Sequence, residues 1–212
     1  GEAPLSVTPS TDMGSTSTDM GSTEMTPTCA RAFSRTGLQA MVDACLGESP
    51  DGDCPNYAND SGCGPIGTWD TSRVEDMTAL FAEKTLFNQD IGDWNVGYVR
   101  NMSGMFANAT AFNQDIGRWN TENVRRMNHM FDGASSFNQD IGGWNVAQVK
   151  EMNRTFANAT AFNADIGGWD VGNVELMEAM FSNATSFNQD IGNWNMASVY
   201  SIRAMFEGAT AF

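Results

Sequence analysis

Five aspartates, Asp90, Asp115, Asp140, Asp165 and Asp190, recur at 25-residue intervals, each two residues after an asparagine (Asn88, Asn113, Asn138, Asn163 and Asn188) and each followed by Ile-Gly. Carboxylate and amide oxygens in file suit calcium, so a cation between successive repeats is one chemistry this column offers. A bare column repels itself: two unit charges about 4.8 Å apart cost roughly 3.5 kcal/mol at an effective dielectric of 20 and roughly 0.9 kcal/mol in water. A second reading lets each Asp accept a backbone N–H in the turn before the glycine, with the asparagines forming an amide ladder. A raised carboxyl pKa or a ligand-binding groove is the third. The single histidine, His129, lies in the polar run Arg125-Arg-Met-Asn-His129 with no serine or cysteine motif beside it, and reads as a solvated surface residue. Walker loops, dinucleotide glycine fingerprints and paired metal-ligand histidines are absent from the sequence. Catalysis needs different groups converging on one point, whereas these polar residues repeat along an axis. The expectation is a protein without enzymatic activity or cofactor.

Two covalent chemistries remain. Cys29, Cys45, Cys54 and Cys63 are even in number and precede the repeats, which suits two disulfides in an oxidising compartment. The competing zinc reading lacks the short two-to-four-residue spacing that brings neighbouring thiolates to one tetrahedral ion. Of three connectivities, Cys29 with Cys45 and Cys54 with Cys63 is preferred. Asn-x-Ser/Thr sequons stand at Asn59, Asn101, Asn108, Asn153, Asn158 and Asn183. Asn108, Asn158 and Asn183 share one repeat phase and are the first candidates for glycans lining one side of the molecule. A chain rich in Asn, Ser and Thr also makes sequons by chance. Asn153 illustrates it, because its Thr155 occupies a phase held elsewhere by Met105, Met130, Met180 and Met205.

What positions these groups is a repeat. Ile-Gly recurs at Ile66, Ile91, Ile116, Ile141, Ile166 and Ile191, and Trp69, Trp94, Trp119, Trp144, Trp169 and Trp194 hold one phase of the same 25-residue period. Val99, Met102, Phe106 and Ala109 are spaced i, i+3, i+7, i+10, predicting a short helix. Phe112-Asn-Gln-Asp-Ile116 alternates apolar and polar, predicting a strand. The glycine after each Ile predicts a tight bend or a close backbone approach. One such unit buries too little to offset its ordering, so the units must stack. The resulting expectation is a leucine-rich-repeat-like solenoid of six strand-turn-short-helix coils over 66–212, with a parallel sheet, ladders about 4.8 Å apart and a disulfide-bonded helical cap. The last coil stops three residues short of its period, so either more chain or another molecule is expected to cover it. The Met and Phe columns read as core filler.

Before the repeats, residues 1–28 form a Ser/Thr-rich arm containing Ser10-Thr-Asp-Met-Gly-Ser-Thr16 and an immediate copy of that heptapeptide. Such a segment builds no core of its own, so a neighbouring subunit or attached sugar is expected to hold it. Residues 29–65 form the cap: Thr36 to Gln39 reads as a capping box before Leu38, Met41, Val42 and Cys45, with Gly47 as the stop. Eleven Lys plus Arg against 26 Asp plus Glu give a formal net charge of -15, which argues against nucleic acid or an anionic membrane as partner. No apolar run is long enough to insert into a bilayer. The amino end has neither a basic start nor an apolar stretch, and the missing initiator Met suggests a processed or truncated chain.

The repeat Val-x-x-Met-x-x-Met-Phe-x-x-Ala-x-x-Phe-Asn-Gln-Asp-Ile-x-x-Trp, read from Val99 to Trp119, resembles that of BspA-like leucine-rich-repeat surface proteins, over about 147 of the 212 residues. That resemblance implies a surface or secreted architecture and no particular ligand. The arm and the cysteine module depart from the pattern, and sequons together with disulfides point to a eukaryotic secretory origin. The function expected is therefore structural: a secreted glycoprotein of an extracellular filament or surface coat. It would self-associate into a homopolymer, or join other surface glycoproteins, through its arm and open carboxyl end. The alternative is a cell-surface adhesion or recognition module binding glycan, protein or calcium.

Overall fold

The computed structural model describes residues 34–212 together with Gly1. The arm and Cys29 lie outside the described residues. Helix α1 (Arg35–Glu48) buries Leu38, Met41, Val42, Cys45 and Leu46 on one face. Its N-cap is Ser34, whose hydroxyl accepts from the Gly37 N–H at 3.2 Å, so the Thr36–Gln39 box does not form and the helix runs through Gly47. Starting at Ser34 leaves Arg35 and Gln39 on the side that meets the first coil. There the Arg35 guanidinium donates to the Thr78 carbonyl at 2.8 Å and Gln39 to that of Leu80 at 3.5 Å.

Helix α2 (Pro55–Ser61) buries none of its residues and so leaves no apolar periodicity to read. Pro55 starts it at a position where a missing N–H costs nothing, and Gly62 ends it at φ 69°. The Glu48 carboxylate accepts from the N–H groups of Tyr57 and Asn56, at 2.7 and 3.0 Å, capping α2 from the end of α1. The Tyr57 N–H bond, with those from Asn56, holds Glu48 below the usual carboxylate range against a smaller opposing effect of desolvation. A disulfide joins Cys45 to Cys54. This corrects both expected pairings, since each used one of these two thiols for another partner. Cys63 is disulfide-bonded as well.

The repeats overturn the sheet-and-helix solenoid. Among the described residues after Thr68 there is no helix and no strand. The coils meet through isolated parallel bridges, one per junction: Asp76 with Asn101, Asn101 with Arg126, Arg126 with Glu151, Glu151 with Leu176 and Leu176 with Ser201. What replaces the predicted helix is a chain of tight turns in which alternate N–H groups face opposite ways. In the second coil Met102, Gly104, Phe106 and Asn108 donate to Arg126, Asn128, Met130 and Asp132 of the third. Met105, Ala107 and Ala109 donate three residues back within their own coil. Left-handed φ at Gly104 (64°) and Asn108 (57°) stops an α-helix from propagating. Turns that close every three or four residues point apolar side chains inward at the spacing of a helix face, so periodicity alone cannot separate the two. The predicted strand at 112–116 also fails. Its cross-coil donors meet side chains, with the Asn113 N–H bonding the Asn88 Oδ1 at 2.8 Å.

The core is aromatic. Phe81, Phe106, Phe131, Phe156, Phe181 and Phe206 stack at 5.5 to 5.8 Å between centroids, each also lying about 4 Å from the second phenylalanine of its own coil. These spacings exceed the 4.8 Å expected of a sheet. The six tryptophans are 3 to 8% exposed. From the second coil onward each indole N–H reaches the isoleucine carbonyl of the preceding coil, Trp144 to Ile116 at 3.0 Å for example. The glycine after each isoleucine answers to close approach: at Gly67, Gly92, Gly117, Gly142 and Gly167 a Cβ would come within 3.0 Å of the carbonyl oxygen of Asp90, Asp115, Asp140, Asp165 and Asp190 respectively.

Candidate functional site

The aspartate column lies outside the core, and every one of its carboxylates is engaged. Asp90, Asp115, Asp140, Asp165 and Asp190 each accept from the glycine N–H two residues on, at 2.9 to 3.0 Å. Beside them, the side chains of Asn88, Asn113, Asn138 and Asn163 each accept the backbone N–H of the next coil's Asn, at 2.7 to 2.9 Å. Gln114, Gln139 and Gln189 add amide bonds to the preceding Asn carbonyl, a contact missing where Ala164 replaces glutamine. The column is thus a set of closed turns. Among the described residues no group of three or more His, Cys, Asp or Glu side chains is placed to hold a metal. A cavity of about 480 Å³ lies where the cap meets the first coil, lined by Asp53, Asp90, Asp93, Pro55, Pro65 and Ile66 among others.

The sequon asparagines separate by environment. Asn108 and Asn183 are exposed at left-handed φ, and Asn158, at the same phase, is half-buried with its amide on the Asp132 carboxylate at 2.8 Å. The Asn153 side chain accepts the Glu178 N–H, and the hydroxyl of its Thr155 is buried against the Met127 and Met152 carbonyls. Asn101 is half-buried, its Oδ1 accepting from Ser103, and Asn59 is exposed on α2.

Sequence reasoning missed a polar cluster on the turn-chain side of coils three to six. His129 does face solvent, with its side chain 48% exposed, but it is not isolated: Nδ1 lies 3.0 Å from Asp132 Oδ2. The Arg154 Nε donates to the same oxygen at 2.9 Å. Burial pushes the Asp132 carboxyl up, yet hydrogen bonds from Arg154, Asn158 and His129, with the Arg154 charge, outweigh it and hold the group below the ordinary carboxylate range. Next to this network a cavity of about 420 Å³ is lined by His129, Asn153, Arg154, Glu178, Ala179, Ser182, Arg203, Ala204 and Glu207. It is concave because one repeat phase changes from the large His129 and Arg154 to Ala179 and Ala204. A comparison of repeat phases was the signal that could have found it: Ala82, Ala107 and Ala157 share the phase of Asp132, Ser182 and Glu207.

The two edges of the stack also differ. At every junction four N–H groups of the earlier coil bond four carbonyls of the later one. In the sixth coil the equivalent donors, on Ile202, Ala204, Phe206 and Gly208, meet no acceptor among the described residues. Around them Tyr200, Ile202 and Phe212 are exposed. No described helix is long and apolar enough to cross a membrane.

No curated protein and no solved structure matches the chain. One family model does, over residues 56–160 and 115–212, which run from α2 through all six coils. This chain therefore belongs to the family described as Mycoplasma protein of unknown function, DUF285.

Proposed function

We propose that this chain is a non-enzymatic structural protein of the BspA-like surface type, secreted and N-glycosylated, which joins an extracellular filament or coat through its arm. The observation that carries the reading is the aspartate column, whose carboxylates close onto backbone N–H groups in coil after coil, as polar groups of a scaffold do. The Ser/Thr-rich arm, residues 1–28, is the segment this reading assigns to a neighbouring copy. The Cys45–Cys54 disulfide suits an oxidising, extracellular compartment. Asn108 and Asn183, exposed on one side, are the positions for glycans. Deleting residues 1–28 tests the assembly: loss of polymers, seen by light scattering of the native material, is expected, and unaltered assembly overturns it. Mass spectrometry of released glycopeptides should find Asn108 and Asn183 occupied.

A second reading, a recognition module at a cell surface, is favoured by the polar cavity on coils three to six. A monodisperse monomer with a measurable ligand distinguishes it from the first.

A further inference from the structure

At the junction of the cap with the first coil we infer a third glycan position, Asn59, whose first sugar, an N-acetylhexosamine, lies in the cavity of about 480 Å³ and ties α2 to the stack. The inference rests on the N-glycosylated reading above and makes no use of the arm. Asn59-Asp-Ser61 is a sequon, and Asn59 is exposed. Of the six sequon asparagines it alone makes no side-chain hydrogen bond among the described residues. The amide nitrogens of Asn108, Asn158 and Asn183 donate to Glu83, Asp132 and Asn158, and the Oδ1 atoms of Asn101 and Asn153 accept from Ser103 and Glu178. In the modification, Nδ2 attacks the anomeric carbon of an oligosaccharide carried on a lipid pyrophosphate. The N–C bond forms as the C–O bond to phosphate breaks, the pyrophosphate leaves, and the nitrogen gives up one proton. An amide that no neighbour holds is free to carry the new group.

Asn59 lines the cavity, so a ring joined to its Nδ2 stands at the mouth from the start. The volume falls in the lower part of the range of small-molecule sites, room for one or two sugar rings. One wall is apolar: Pro55 and Pro65 are exposed there, beside the half-buried Ala58 and the buried Ile66. The C–H face of a pyranose and an acetamido methyl cover such a wall and remove apolar surface from water. The opposite wall is polar. Gln89 lacks the bond to a preceding Asn carbonyl that Gln114, Gln139 and Gln189 make, and lines the cavity instead. Asp93 meets Arg118 at 3.3 Å through exposed side chains, a weak pair that leaves it acceptor capacity for sugar hydroxyls. These walls belong to α2, to the approach to the first coil and to coils one and two, so a ring seated between them bridges all three. Helix α2 buries none of its own residues, and the bridge supplies the contact with the stack that its side chains do not.

The test takes the native whole chain to glycopeptide mass spectrometry, then to an amidase that releases N-linked glycans, with the chain folded and with it denatured. Asn59 should be occupied, and its glycan should leave the folded chain about tenfold more slowly than the denatured one, a difference that glycans on Asn108 and Asn183 should not show. Asn59→Gln should lower Tm by about 2 to 4 °C, whereas Asn108→Gln should shift it by less than about 1 °C. Bare Asn59 beside occupied Asn108 and Asn183 overturns this inference alone, while a chain with no occupied asparagine overturns the glycoprotein reading with it. Equal release from the folded and denatured chain at Asn59, or a Tm that Asn59→Gln leaves unmoved, overturns the seat in the cavity.

Discussion

The aspartate side and the turn-chain side of the stack are made of the same coils and use their polar groups in opposite ways. On the aspartate side each coil repeats Asn-x-Asp-Ile-Gly, and carboxylates and amides close onto backbone N–H groups within the coil or one coil away. On the other side coils three to six differ from one another, and His129, Asp132 and Arg154 bond one another at phases that hold alanine in other coils. Identical residues at every repeat signal structure here. The departures from identity collect around a cavity.

The core that both sides share gives the largest expected effect. Trp144→Ala removes an indole stacked between Trp119 and Trp169 and its bond to the Ile116 carbonyl, and should cost about 3 to 5 kcal/mol in chemical denaturation. A loss no larger than that of a surface substitution would show that the coils do not depend on one another. Next comes Gly142→Ala on the aspartate side. The added methyl would press on the Asp165 carbonyl oxygen, and about 1 to 3 kcal/mol of destabilisation is expected by the same measurement.

On the turn-chain side, Asp132→Asn leaves the Arg154 charge without its carboxylate and should cost about 1 to 2 kcal/mol at neutral pH. Because the folded state lowers this group's pKa, its contribution is complete above the unfolded carboxyl pKa and is lost as pH falls through the folded one. The parent should therefore lose more stability than the variant across the acid range below the ordinary carboxyl pKa. Parallel stability curves there would remove Asp132 from the account. The smallest effect sharpens the contrast by completing the regular side: Ala164→Gln restores the amide bond that Gln139 and Gln189 make, and should raise stability by about 0.5 to 1 kcal/mol.

Much of this molecule was legible in the order of residues. The 25-residue period, the burial of the tryptophans and the close approach at Gly92 follow from residues that recur without exception. The backbone path did not follow. Val99, Met102, Phe106 and Ala109 satisfy a helical spacing, but Gly104 and Asn108 turn left-handed between them, and a side-chain pattern does not report the sign of φ. Helix α2 escaped because it buries nothing and is set by Pro55, Glu48 and Gly62. The cavity escaped for a different reason. A period search averages coils together, and Ser182, Arg203 and Glu207 are visible only as differences from that average.

One feature of the junctions reaches beyond stability. Four backbone bonds at each junction point toward the last coil, against one or two that return. Peptide dipoles in such a ladder add, as they do along a helix, so the column of coils carries partial negative charge where Arg35 sits and partial positive charge at its far end. The backbone alone makes the two ends electrically unlike, and anything that builds on this molecule lengthwise inherits a direction.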